Sequence, residues 1–178
     1  NEAVYGGNLD KETVVQLWTE DKDAQIKAHL DRGGRAVLSM VDQCYCDYPY
    51  SMHSLKDVYE IETSPAELGE RGEDSVLGTE CLIWTEFIRD NERLEEMCWP
   101  RFAASAEVGW CGSNRPGYVD FCRRLEVLFP LFEKYGIHAT GKDGWIPDEE
   151  TAAEQTEAFQ RNFSKEDLEE ARRMQEEI

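Results

Sequence analysis

The sequence predicts an α/β fold of three consecutive strand–helix units with parallel strands, and three observations carry that expectation. Residues 13–18 (TVVQLW), 36–40 (AVLSM) and 81–83 (CLI) are apolar runs of strand length. The first two are separated by a helical stretch long enough for the crossover that a parallel pair requires. The run at 36–40 is too uniformly apolar to alternate, as expected of a parallel strand covered on both faces.

Taken in order, residues 1–11 form a polar, glycine-containing lead-in, and the strand at 13–18 ends on Trp18. Residues 21–30 predict a helix that offers Ala24, Ile26 and Leu30 for burial and stops at Gly33 and Gly34. Beyond the second strand, the loop at 41–50 crowds Tyr45, Asp47, Tyr48 and Tyr50 around Pro49. Ordinary turns favour Gly, Asn and Ser, so this density of rings and hydroxyls points to function. Residues 55–59 predict a short helical turn and 61–74 a loop.

The strand at 81–83, entered through Gly78, delivers Trp84, Thr85 and Glu86 at its far end. After a polar hinge at 89–91, Pro100 suits the first turn of a helix, where its missing N–H costs nothing, and Phe102, Ala103, Ala106 and Trp110 recur at helical spacing. Residues 118–135 carry Phe121, Leu125, Leu128, Phe129 and Phe132 as one helical core stripe that Gly136 ends. Residues 141–147 read as a linker, and two acidic helices are expected from Asp148 onward, the second capped at Ser164 with Asp167 three residues on.

The net charge of −19 and a pI of about 4.5 argue against nucleic acid or an anionic membrane as partner. Eleven acidic residues face four basic ones from Asp148 onward, the pattern of a solvated helical face. No apolar run approaches the roughly 20 residues of a membrane-spanning helix. The six cysteines, at 44, 46, 81, 98, 111 and 122, lack the paired spacing of a zinc site, and no cofactor or metal is expected. Cys44 and Cys46 are too close for a relaxed disulfide, and the set fits a reducing compartment better than secretion.

In an α/β barrel the substrate sits over the C-terminal ends of the strands, so a Trp and a Glu two apart at such an end can face one pocket. A flat ring beside a carboxylate suits a sugar, with its apolar face and rim of hydroxyl donors. The words GTECLIWTEF, WPRFAASAEVGW and YCDYPY resemble the closing part of the catalytic barrel of glycoside hydrolase family 20, the β-N-acetylhexosaminidases. Gly78, Glu80, Trp84 and Glu86 fit the pattern of that family's last barrel strand, and the similarity runs with gaps over residues 14–137.

The resemblance implies a partial TIM (β/α)8 barrel, its last three βα units filling residues 1–140 and residues 141–178 forming an acidic helical extension. At 178 residues the chain is short of the roughly 250 that a whole barrel needs. It also implies a retaining, substrate-assisted β-N-acetylhexosaminidase acting on glycans that end in N-acetylhexosamine, in which the substrate's acetamido oxygen attacks the anomeric carbon and an Asp-Glu pair assists. Glu20-Asp21, Glu73-Asp74 and Glu166-Asp167 are in reversed order, and Asp148-Glu149 follows Pro147 beyond the last strand. The pair is therefore expected upstream of Asn1, with the isolated chain inactive and completed by the missing barrel half or by a second copy of itself.

By the same resemblance, Tyr45 holds the acetamido oxygen, Asp47 and Glu86 accept from the hydroxyls at O4 and O6, and Trp18 and Trp84 wall the pocket. Cys46, where the family commonly has Leu, is a departure. Glu80, Arg101 and Glu107 are expected as structural ion-pair partners, Trp99 and Trp110 as core, and His29, His53 and His138 as structural. The alternative is a non-catalytic half-barrel that binds sugar or serves as a structural piece.

Overall fold

The computed structural model describes residues 2–19, 24–63 and 72–163. Three strands, β1 (Val14–Leu17), β2 (Arg35–Leu38) and β3 (Val76–Thr79), form one parallel sheet in that order. Val15 pairs with Ala36, Leu17 with Leu38, and Leu38 with Thr79. Helix α1 (Ala24–Asp31) makes the first crossover, and the part of the expected helix before Ala24 lies outside the described residues. It buries Ile26, His29 and Leu30 in a cluster with Val4, Val15, Leu17, Ala36 and Leu38. His29 packs beneath Gly34, where an added Cβ would fall 2.3 Å from the ring, and reaches the Thr13 carbonyl at 3.0 Å.

β2 departs from the expectation of burial on both faces. Ala36 and Leu38 are buried while Val37 is half-buried, because the α1 cluster covers one face only. Polar groups gather beside the sheet instead: Gln16 Nε2 donates to Ser39 Oγ at 3.1 Å and Glu80 Oε1 at 3.0 Å, and Ser39 Oγ donates to the same carboxylate at 2.9 Å. Among the described residues Glu80 thus accepts neutral hydrogen bonds rather than forming the expected ion pair.

The third strand sits at 76–79 rather than 81–83. The neighbouring chain leaves the sheet as a helical turn, α2 (Val41–Cys44), so pairing resumes only as a single bridge between Tyr45 and Leu82. The Leu82 amide donates to the Cys44 carbonyl at 2.8 Å and the Cys46 amide to the Leu82 carbonyl at 2.7 Å. Helix α3 (Leu55–Tyr59) opens on a capping box between Ser54 and Asp57, and the turn α4 (Gly72–Ser75) leads into β3 within the expected loop.

The polar hinge initiates a helix that the sequence reading passes over. Asp90 accepts from the Arg93 amide at 2.8 Å and caps α5 (Asn91–Cys98). In α6 (Arg101–Cys111) the buried face is Arg101, Ala104, Ser105 and Val108, a stripe rotated from the expected one. Trp110, expected in the core, is 91% exposed, whereas Trp99 packs against the core near Phe132 at 5.4 Å. Pro130 divides the expected helix at 118–135 into α7 (Tyr118–Leu125) and α8 (Phe129–Tyr135), since its ring and missing N–H prevent a continuous ladder.

Residues 141–147, read as a linker, carry Trp145 into the main core at 3% exposure. Its Nε1–H donates to the Thr140 carbonyl at 2.9 Å, and its own carbonyl accepts from the Leu55 amide at 3.0 Å. Asp148 then caps α9 (Glu149–Gln160). The second acidic helix expected from Ser164 lies outside the described residues. Among the described residues no helix is long and apolar enough to cross a membrane.

Arg101 accounts for the rotation of α6. Fully buried, it donates to the carbonyls of Cys46 (2.5 Å), Tyr48 (2.8 Å), His53 (2.9 Å) and Met97 (2.8 Å), and its guanidinium lies 4.1 Å from the Tyr50 ring centroid. Glu107 forms an ion pair, as expected, with Arg124, and accepts from the Tyr59 hydroxyl at 2.8 Å. Replacing Arg101 with Met leaves these carbonyls without their donor in a dry site. Arg101→Met should lower stability by about 3 kcal/mol or more in urea unfolding, and Arg101→Lys, with a compact ammonium in place of the planar fork, should recover only part of it.

Candidate functional site

All three strands point their C-terminal ends to one edge of the sheet, and the residues singled out in the sequence follow those ends. Trp18 lies one residue beyond β1, half-buried, with its carbonyl accepting from the Val41 amide at 2.8 Å. Tyr45 follows β2 and α2, and Trp84 and Glu86 follow the Leu82 bridge to Tyr45. Trp84 is 52% exposed and Glu86 is exposed, while Tyr45 is half-buried and Asp47 is buried.

The loop that carries Tyr45 and Asp47 is held by backbone capture. His53, itself buried, donates from Nδ1 to the Tyr45 carbonyl at 2.8 Å, which assigns the proton to that nitrogen because a carbonyl only accepts. Its ring stacks on Tyr48 at 4.6 Å. Burial pushes the His53 pKa down to about 4, so the neutral donor persists well into acid. Arg101 captures two further carbonyls of the loop, those of Cys46 and Tyr48. Cys46 points into the core, fully buried, with its thiol 3.5 Å from that of Cys81. Both cysteines are free, and the Cys46 side chain occupies apolar space.

Asp47 is held at a cost. It is 8% exposed, and its Oδ1 has no hydrogen-bond partner. Burial raises its pKa above the ordinary carboxylate value, and the nearby Glu86 carboxylate adds to the shift, while the backbone amides of Asp47 and Trp84 oppose it. Asp47 and Glu86 share a cavity of about 590 Å³, whose other walls include Pro49, Phe87, Arg93 and Phe159. Trp18, Tyr45 and Trp84 stand at the same edge of the sheet but outside that lining. The cavity presents the carboxylates of Asp47, Glu86 and Glu96, with one Asp47 oxygen unpaired, beside the guanidiniums of Arg89 and Arg93, so it offers hydrogen-bond acceptors and donors together. Among the described residues no group of three or more His, Cys, Asp and Glu could hold a metal ion.

His53, Phe87 and Phe159 belong to this surround and were not singled out for it. The partners of His53 are a backbone carbonyl and a stacked ring, which no sequence motif marks, and Phe159 lies far along the chain in a helix whose acidic face dominates its composition. An Asp47→Asn substitution tests the electrostatics. A carboxyl with a raised folded pKa contributes stability that is present in acid and lost as pH rises through the folded pKa. Asp47→Asn should therefore stabilise the unliganded chain at pH 7, by on the order of 1 kcal/mol, with the gain vanishing toward pH 3 in thermal unfolding.

Comparison with known proteins places this geometry in context. Residues 1–113 match the family described as glycosyl hydrolase family 20, catalytic domain. The chain is 31% identical over 151 residues to a β-N-acetylhexosaminidase from Cellulomonas fimi, a match covering 77% of this chain and 30% of that protein. It is 31% identical over 120 residues to the β-hexosaminidase subunit beta of Mus musculus, covering 67% and 22%. Among solved structures, the GH20 β-N-acetylhexosaminidase from Streptomyces coelicolor A3(2) superposes with a TM-score of 0.69 at 25% identity, covering 78% of this chain and 31% of that one. The chain thus spans less than a third of the length of these relatives.

Proposed function

The chain belongs to glycosyl hydrolase family 20, and from that premise we propose that it is the closing part of the catalytic barrel of a retaining β-N-acetylhexosaminidase, supplying sugar-binding groups. The observation that carries this reading is the shared cavity of Asp47 and Glu86, two carboxylates on successive loops at one sheet edge, with an unpaired oxygen buried on Asp47. Hydroxyl donors at O4 and O6 of a terminal N-acetylhexosamine satisfy those acceptors. The added hydrogen bonds favour the ionised form of Asp47, offsetting what burial costs.

Tyr45 positions the acetamido oxygen through its hydroxyl and stabilises the charge that develops as that oxygen attacks the anomeric carbon. Trp18 and Trp84 wall the acetamido methyl and the sugar ring. The proton to the leaving group, and later from water, passes through an Asp-Glu pair contributed by barrel units outside this sequence. Residues 1–140 form the last three βα units in this reading and residues 141–178 an acidic helical extension, of which α9 packs against them. Supporting it are three parallel strands with an open edge on β1 and on β3, which call for the rest of a barrel or a second copy.

A chromogenic N-acetylglucosaminide tests the assignment. The chain alone should give no turnover, and joining or mixing it with the upstream barrel half should restore hydrolysis; failure of that restoration favours a non-catalytic half-barrel. In the restored enzyme Glu86→Gln should lower kcat/KM by the equivalent of roughly 1 to 3 kcal/mol, the worth of charged hydrogen bonds to the substrate, and an unchanged value removes Glu86 from the site.

A further inference from the structure

Helix α9 lies beyond the family match, which ends at residue 113, yet it forms one side of the cavity that holds Asp47 and Glu86. Its inward stripe is Ala152, Gln155, Thr156 and Phe159, half-buried at helical spacing, while the acidic positions between them face solvent. Two hydrogen bonds dock this stripe on the tyrosine loop: the Ser51 amide donates to Gln155 Oε1 at 3.0 Å, and the Thr156 hydroxyl donates to Ser51 Oγ at 2.9 Å. Phe159 then lies 4.9 Å from the Tyr48 ring and 5.6 Å, edge-on, from Phe87. Tyr48 is the ring stacked on His53, which holds the Tyr45 carbonyl.

We propose that α9 is a specificity-determining wall of the sugar site, in which Phe159 closes the cavity beyond Asp47 and Glu86 and braces the loop that presents Tyr45 and Asp47. This rests on the reading of those two carboxylates as acceptors for the outer hydroxyls of the sugar. With the wall in place, a terminal N-acetylhexosamine with free outer hydroxyls fits, and one carrying an acyl group at O6 meets the Phe159 ring. The brace runs through contacts alone, Phe159 to Tyr48, Tyr48 to His53, and His53 to the Tyr45 backbone. Phe159 is therefore a positioning residue for Tyr45 and a steric limit beside Asp47.

The experiment compares Phe159→Ala with the unaltered protein, each joined to its upstream barrel half, on a chromogenic N-acetylglucosaminide and its 6-O-acetyl derivative. Phe159→Ala should raise KM and lower kcat for the free sugar, together cutting kcat/KM about fivefold, the worth of one aromatic contact, and should raise relative activity on the acetylated sugar. Phe159→Tyr should restore both parameters. In the chain by itself, Phe159→Ala should speed amide exchange at residues 45–53. A folded Phe159→Ala protein with unaltered KM, selectivity and exchange overturns the proposal while leaving the hexosaminidase reading intact. Absence of turnover by the unaltered joined protein overturns both.

Discussion

A buried guanidinium bonded to backbone carbonyls holds this molecule together. Arg101 is fully buried, and its charge is solvated by the carbonyls of Cys46, Tyr48, His53 and Met97. A planar group with five donors reaches several carbonyls from different segments at once, and full burial makes each of those bonds count. Three of the four carbonyls belong to the segment between Tyr45 and Leu55, and the fourth belongs to the helix preceding Arg101. The cation therefore welds α5 and α6 to the loop at the strand ends, and it sets which face of α6 is inward.

That weld lets the loop carry groups that would otherwise leave. Asp47 is buried with an unpaired oxygen and a carboxylate neighbour, an arrangement that favours opening toward water. His53 is neutral and buried, useful only as a donor to the Tyr45 carbonyl. Each is locally unfavourable, and both sit within a few residues of a carbonyl that Arg101 grips. Asp47 lines the cavity shared with Glu86, so the energetic cost lies beside a site that a ligand can enter.

Helix α9 extends the same logic to the other side of the cavity. It has no fully buried residue of its own, and it is fastened by Gln155 and Thr156 to Ser51 and by Phe159 to Tyr48 and Phe87. A helix docked through a few side chains adds a wall to the cavity without entering the sheet, and it lies beyond the residues that match the family.

What the sequence by itself determined was local: the β1 and β2 strands with the crossover between them, the Gly136 stop, and the three words that identify the family. Those signals come from periodicity, backbone chemistry and short motifs, which neighbouring residues suffice to express. The tertiary structure alone decided the rest. It shifted the third strand, because α2 takes its pairing partner out of the sheet, and it turned Trp110 outward, because distant carbonyls draw Arg101 inward. It broke the helix at Pro130, a breaker visible in the sequence but overridden there by the apolar stripe around it. It also brought Asp47, Glu86 and Phe159 to one cavity from three segments, since burial and hydrogen bonding depend on partners far apart along the chain.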